Sequence, residues 1–275
     1  MSTEVLQLHL NLAAMSAKYL RDLQHQHDVI KLLEAGATSV TAESIANQRD
    51  FASFTPANGA QLEHEAARSA AKDWLLKGFL RDAVEATGLF LDECLQACAV
   101  IVTVGHGGPT KADVLNQLFN VLPRKNHRLH LPEKLNKLLT EYGVKADLNL
   151  QVLSLNKART CVVHRLGQVT HLDVDESGEL LILFRTFEMV AKEKESGDEM
   201  LLDRPGLLIK AESVVNMRIV DKTRVFKVGE QIRLDPSELY ATIVTLWQFG
   251  AQLTKSVEEL GRQRGLAFDA PATGA

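Results

Sequence analysis

The chain has 275 residues, 45% of them hydrophobic and 24% charged, a balance that suits a globular protein able to bury a sizeable core in one large domain or two small ones. A formal net charge of −4 and only 5% aromatic residues exclude nucleic-acid binding by overall charge and argue against a base-stacking platform. Three cysteines, Cys94, Cys98 and Cys161, fit a reducing compartment and no disulfide framework.

The first residues, MSTEVLQLHL, lack a basic segment and a cleavage-site pattern, so no secretory signal is expected. The longest nearly apolar run, ACAVIVTV (97–104), is too short to span a bilayer. These features predict a cytoplasmic protein that makes no use of a membrane.

Residues 3–35 place Leu6, Leu10, Leu20, Leu23, Ile30 and Leu33 at helical spacing, which predicts a long amphipathic helix stopped by Gly36. Residues 36–59, ending in SFTPANGA, read as a polar loop with a short helix at 42–49. A second helical stretch follows over 60–103, with Ala66, Ala70, Trp74, Leu75, Phe79 and Leu80 on one side. Gly88 is a candidate break in it, because glycine costs about 1 kcal/mol against alanine in a helix.

GHGGPTKAD (105–113) reads as a tight connection into a helix at 110–121. As a phosphate loop it lacks the required spacing and the Lys-Ser/Thr pair, and it follows a helix rather than a strand. Pro123 and Pro132 then bracket a basic stretch before a short helix at 132–141. The segment PRKNHRLHLPEKLNK (123–137) sets Arg124, Lys125, Arg128, Lys134 and Lys137 against a single acid, Glu133. It reads first as a solvated loop and second as the best patch for an RNA backbone, with Arg124, Lys125 and Arg128 as the contacts. His127 and His130 have no carboxylate cluster beside them, and Cys94 and Cys98 have no histidine at ligand spacing. The two cysteines read as small buried hydrophobes, and neither a metal nor another cofactor is expected.

A helix is predicted over 146–166. After Gly167 the period changes, and residues 179–192, 206–220 and 224–234 read as antiparallel strands separated by the turn signals ESGDE and DKT. DPSEL (235–239) marks a helix start, with Asp235 as N-cap, Pro236 at the first helical position and Glu238 at the third. That helix should reach about 262, with 265–275 a frayed tail.

The segment RTCVVHR (159–165) carries the chemistry. Leu148, Val152, Leu155, Val162 and Leu166 form an apolar seam in which Arg159 occupies the one remaining place. A guanidinium is costly in a closed interior unless paired, so the seam is expected to face a cleft or a partner subunit. His164 lies about 140° around an ideal helix from Arg159, so one helix cannot stack the two side chains. They would converge most easily against a second copy of the same helix. The carbonyl end of a helix favours positive charge, histidine exchanges protons near neutrality, and arginine offers a fixed fork of donors to phosphate oxygens. Together they suit RNA cleavage in which the ribose 2′-hydroxyl attacks and no metal is required.

NKARTCVVHRLGQV (156–169) resembles the signature of HEPN domains (higher eukaryotes and prokaryotes nucleotide-binding). The resemblance implies a mainly α fold, a HEPN-like helical bundle with an antiparallel β insertion before the last helix. It also implies a homodimer in which two motifs face each other across one cleft. Many members are metal-independent ribonucleases of toxin–antitoxin or antiviral defence systems. Carried over, Arg159 and His164 would be the catalytic pair, with Thr160 and Arg165 beside them on the RNA. An antitoxin or defence protein would be a further partner. Family members usually have Asn, Asp or His directly after the arginine, where this chain has Thr160. The second function class is a non-catalytic HEPN module that binds a protein, nucleotide or RNA. By organisation the chain divides into residues 1–59, a helix and loop, and residues 60–275, the bundle with its β segment at about 171–235.

Overall fold

The computed structural model describes residues 10–43, 63–105, 111–204, 206–209 and 212–268. Asn11 opens helix α1 (Leu12–Ser39), its Oδ1 accepting from the Ala14 N–H at 2.8 Å. The helix continues past Gly36, where a stop was expected, and ends three residues later. The Thr38 and Ser39 hydroxyls donate to the carbonyls of Glu34 and Gly36 in that last turn.

Helix α2 (His64–Val104) is continuous for 41 residues, so Gly88 does not divide it. Val84, Thr87, Phe90 and Leu91 around the glycine are all buried, and the Lys134 ammonium donates to the Gly88 carbonyl at 3.1 Å. Burying each large apolar side chain is worth roughly 1.5–3 kcal/mol, enough to outweigh the glycine. By length and composition alone α2 could cross a membrane, with an 18-residue window of mean hydropathy 1.5; 56% of that window is buried inside the bundle.

Helix α3 (Ala112–Asn116) runs through one π-helical turn (Gln117–Val121) into α4 (Leu122–His127). Pro123 lacks the N–H that would bond the Phe119 carbonyl, which favours the wider turn. The Leu122 N–H accordingly reaches back to Gln117. Helix α5 (Leu131–Tyr142) follows, with Glu133 accepting from the His130 N–H and Gly143 closing it at φ 69°. The expected basic loop is therefore mostly helix. Helix α6 (Asn149–Arg165) ends in two left-handed residues, Leu166 at φ 54° and Gly167 at φ 85°.

Strands β1 (Glu179–Glu193), β2 (Glu199–Leu201) and β3 (Ser213–Lys227) form an antiparallel sheet in the order β2-β1-β3. The turn expected at DKT is absent, because Asp221 and Lys222 have partners across the strand pair. Asp221 lies opposite Arg185 and accepts both guanidinium bonds, at 2.7 and 2.8 Å, while Lys222 pairs with Glu188 at 3.1 Å. The second expected strand begins late, at Ser213, and the third stops at Lys227, beyond which only a bridge joins Gln168 to Gln231.

Helix α7 (Pro236–Gln263) starts as DPSEL indicates: Asp235 accepts from the Ser237 and Glu238 N–H groups, and Glu238 accepts from that of Asp235. The chain is thus a mainly α bundle with an antiparallel sheet inserted before its last helix. One core joins Leu12, Tyr19, Leu23 and Ile30 of α1 to α2, α5, α6, α7 and the inner face of β1 (Leu180, Ile182, Phe184). At its centre Tyr19 stacks on Phe90 with ring centroids 4.3 Å apart. A Cβ on Gly250 would meet the Tyr19 ring at 2.5 Å, so α7 can approach only with glycine there. The expected helix at 42–49 beyond residue 43, the phosphate-loop-like turn at 106–110 and the tail beyond 268 lie outside the described residues.

Candidate functional site

Helix α6 is held by its buried side. Leu148, Val152, Leu155, Ala158, Cys161 and Val162 are all buried, and Ala158 and Cys161 join the seam that spacing assigned to larger residues. Leu166, expected to complete that seam, is 79% exposed. Its left-handed backbone turns the chain before the seam can continue, so it does not reach the core.

The two end residues are then fixed by three clamps. The Leu166 carbonyl accepts from the Lys77 ammonium at 3.2 Å and from Gln231 Nε2 at 2.6 Å. A cation there complements the negative end of the helix dipole. Arg165 makes a two-pronged ion pair with Asp173, one bond being Nε to Oδ2 at 2.8 Å. Asp173 is buried and also accepts from the Thr170 N–H and hydroxyl, each at 2.9 Å. Burial pushes this carboxyl upward, but the bonds from Arg165 and Thr170 outweigh it and hold the group below the usual carboxylate range. The Cys161 thiol, pushed up to about 11 chiefly by burial, donates to the Gln168 carbonyl at 3.3 Å.

Arg159 does not lie in a closed core. It is half-buried, and Nη2 donates to Glu85 of α2 at 3.3 Å. Its Nε is buried and has no hydrogen-bond partner among the described residues. Thr160 returns its hydroxyl to the Asn156 carbonyl at 2.9 Å and so is committed to its own helix. His164 is exposed and has no hydrogen-bond partner among the described residues. The single chain does not bring Arg159 and His164 together.

The neighbouring surface is apolar. A cleft of about 740 Å³ between α1, α2 and the end of α6 is lined by Val29, Leu33, Trp74, Val163 and Leu166, with the ion pairs Lys77–Asp73 and Arg81–Asp82 at its polar side. Trp74 is 72% exposed within it.

The basic segment separates into two groups. Arg124, Lys125 and Arg128 are exposed on and just after α4. Lys134 is buried, paired with Asp92 at 2.8 Å, and Lys137 donates to the buried Asn126 at 3.0 Å. His127 also reaches Asp92, at 3.1 Å. Glu85 and Asp92 are seven residues apart, two helical turns and nearly the same direction around α2. The motif helix and the basic helix are therefore anchored along one face of α2.

Sequence reasoning missed Glu85, Asp173 and Lys77. Only Asp173 carries a local signal, the Thr170-x-x-Asp173 spacing of a side-chain-capped turn. Among the described residues no group of three or more His, Cys, Asp or Glu side chains is placed to hold a metal. Cys94 and Cys98 are buried, with thiols held above their ordinary range chiefly by that burial. Neither a family model, nor a curated protein, nor a solved structure matches this chain.

Proposed function

We propose that the protein is a metal-independent endoribonuclease of HEPN type, acting as the effector of a bacterial defence or toxin–antitoxin module. One observation carries the reading: Arg159 keeps a buried donor, Nε, with no partner, and bonds Glu85 only by a long contact. Asn126 Nδ2 and Gln248 Nε2 are likewise buried without partners among the described residues, so what sets Arg159 apart is a charged group on the motif helix with so little bound to it. A phosphate oxygen at its guanidinium would complete its bonding.

In this reading Arg159 stabilises charge on the phosphorus, while His164 moves the proton of the attacking 2′-hydroxyl or of the leaving group. The two side chains meet across a twofold axis, with the exposed Val163, Leu166 and Trp74 covered by the second copy. Arg124, Lys125 and Arg128 then hold RNA backbone away from the reacting atoms. Arg165 is a positioning residue, since both of its bonds go to Asp173.

Arg159→Ala and His164→Ala are the test. Losing one electrostatic stabiliser typically costs ~10²–10³ in rate, and losing an acid or base roughly 10²–10⁴. The double variant should be little worse than either single one, because residues acting as a unit are not additive. Cleavage should survive EDTA and leave cyclic phosphate ends. The intrachain Arg159–Glu85 pair favours a second reading, a non-catalytic module that recognises a partner through this surface. Wild-type protein inert toward all cellular RNA, with the same variants losing a bound partner, would decide for that second reading.

A further inference from the structure

Strand β3 is the outer strand of the sheet along its whole 15-residue length, and no strand lies beyond it among the described residues. On β1 the N–H groups of Leu183 and Arg185 donate to Ser154 Oγ and Thr245 Oγ1, at 2.9 and 2.8 Å, and the Met189 carbonyl accepts from Leu202. Odd-numbered residues of β1 therefore turn their main chain away from β3. Even-numbered ones face it, and the register sets even against even, as in Phe184↔Lys222 and Glu188↔Arg218. The alternation of an antiparallel pair then points the N–H and C=O groups of Val215, Met217 and Ile219 outward.

The side chains at these positions are apolar and exposed: Val215 at 50%, Met217 at 67% and Ile219 at 57%, with Met189 of β1 directly across from Met217. A long apolar edge of this kind templates pairing, and proteins usually blunt one with proline, a bulge or a cover. Among the described residues none of these three protects VVNMRIV (214–220).

We infer that β3 pairs antiparallel with β3 of a second copy, about a twofold axis at Met217, to make one continuous sheet. The sequence is self-complementary in this register. Met217 meets itself, Val215 meets Ile219, Val214 meets Val220 and Asn216 meets Arg218; just beyond, Glu212 comes opposite Lys222. Outward-pointing residues also meet outward-pointing residues, so both strands' free donors and acceptors are satisfied. The neighbouring axes that also set outward-pointing residues against each other match less well: Ile219 places Met217 against Asp221 and Val215 against Thr223, and Val215 places Met217 against Ser213. The Arg218 side chains that approach near the axis are each neutralised within their own chain, by Glu188 at 3.2 Å and Glu199 at 3.3 Å.

This surface is the edge of the sheet, separate from the end of α6, and the inference does not rest on the ribonuclease reading. The full-length chain is weighed by light scattering beside Met217→Pro and the double variant Val215→Lys/Ile219→Lys. Proline is tolerated on an edge strand where its N–H would face solvent, so Met217→Pro removes the intermolecular bond and leaves the β1 ladder whole. The double variant keeps every main-chain donor, and it decides the question if the proline chain does not fold by circular dichroism. The mass of the assembly should fall by at least half in both, from dimer to monomer, or from tetramer to dimer if α6 also pairs. A short bismaleimide should join Met217→Cys chains and not Thr223→Cys chains, whose thiols lie roughly 40 Å apart in this register at ~3.4 Å per residue. A monomeric wild type, an assembly unchanged in mass in both variants, or equal cross-linking at the two positions overturns the pairing. Wild-type protein that cleaves no RNA, with the Met217→Cys cross-link formed as expected, counts against the ribonuclease reading alone.

Discussion

Arg159 and Arg165 lie less than two turns apart on one helix and are held in opposite ways. Arg165 has two bonds to a buried aspartate, and its guanidinium is held above its ordinary range chiefly by the hydrogen bond to Asp173. Arg159 has one long bond to Glu85, which is 61% exposed, and a surface pair of that kind contributes about 0–1 kcal/mol. Arg165 is bound into the fold, and Arg159 keeps a donor without a partner among the described residues. Asp173→Asn should accordingly cost roughly 1.5–3 kcal/mol at neutral pH, the worth of hydrogen bonds to a charged group. The sign with pH follows from the lowered carboxyl of Asp173. Its contribution is complete above the unfolded-state value near ~3.9 and is lost as pH falls through the folded value. Urea midpoints of wild type and Asp173→Asn should therefore differ at pH 7 and converge in acid. A gap that persists unchanged as pH falls well below the unfolded-state value would show that packing, not charge, is what the substitution removes.

Among the elements, those specified by neighbours in sequence were legible. The α7 start is an example, because Asp235, Pro236 and Glu238 complete the cap within four positions. Elements whose stability comes from distant partners were not. Gly88 signals a break that packing overrides, and DKT signals a turn that cross-strand ion pairs convert to strand. The positions of Arg159 and His164 on α6 were legible, but Glu85 sits on another helix with nothing in its own surroundings to mark it. The basic segment shows the same limit, since its lysines differ in role only through α2. Replacing Arg124, Lys125 and Arg128 with serine should leave the midpoint of unfolding nearly unchanged. It should lower the salt slope of RNA binding by about two units, at ~0.7 per single-stranded phosphate contact. Lys134→Met should do the reverse, destabilising by at most roughly 3–5 kcal/mol because Asp92 loses its buried cation and keeps only the exposed His127, with the salt slope unmoved. An unchanged salt slope in the triple variant returns α4 to an ordinary solvated helix.

At the scale of the whole molecule, the proposed function requires Arg159 and His164 to meet. Arg159 faces Glu85 on α2, while His164 sits on the solvent side of the last turn, about 140° away around the helix. The two side chains leave α6 in different directions, and the clamps on Arg165 and Leu166 hold the end of the helix in place. On the proposed ribonuclease reading, the working pair combines Arg159 of one copy with His164 of the other, giving two equivalent composite sites per twofold dimer. The arrangement has a consequence that no single-chain site shares. A dimer of one Arg159→Ala chain and one His164→Ala chain contains one site with neither residue and one site with both. The two variants, mixed in equal amounts, unfolded together and refolded, should recover about one quarter of wild-type cleavage, since half the dimers are mixed and each has one intact site. Catalysis within single chains would recover none. The same mixture carrying Val163→Glu should also recover none, because a charge on the exposed apolar surface beside His164 blocks the contact between copies, while the mass contributed by β3 pairing stays as it was. Recovery with Val163→Glu present would place the twofold contact elsewhere on the molecule and detach the two catalytic roles from the end of α6.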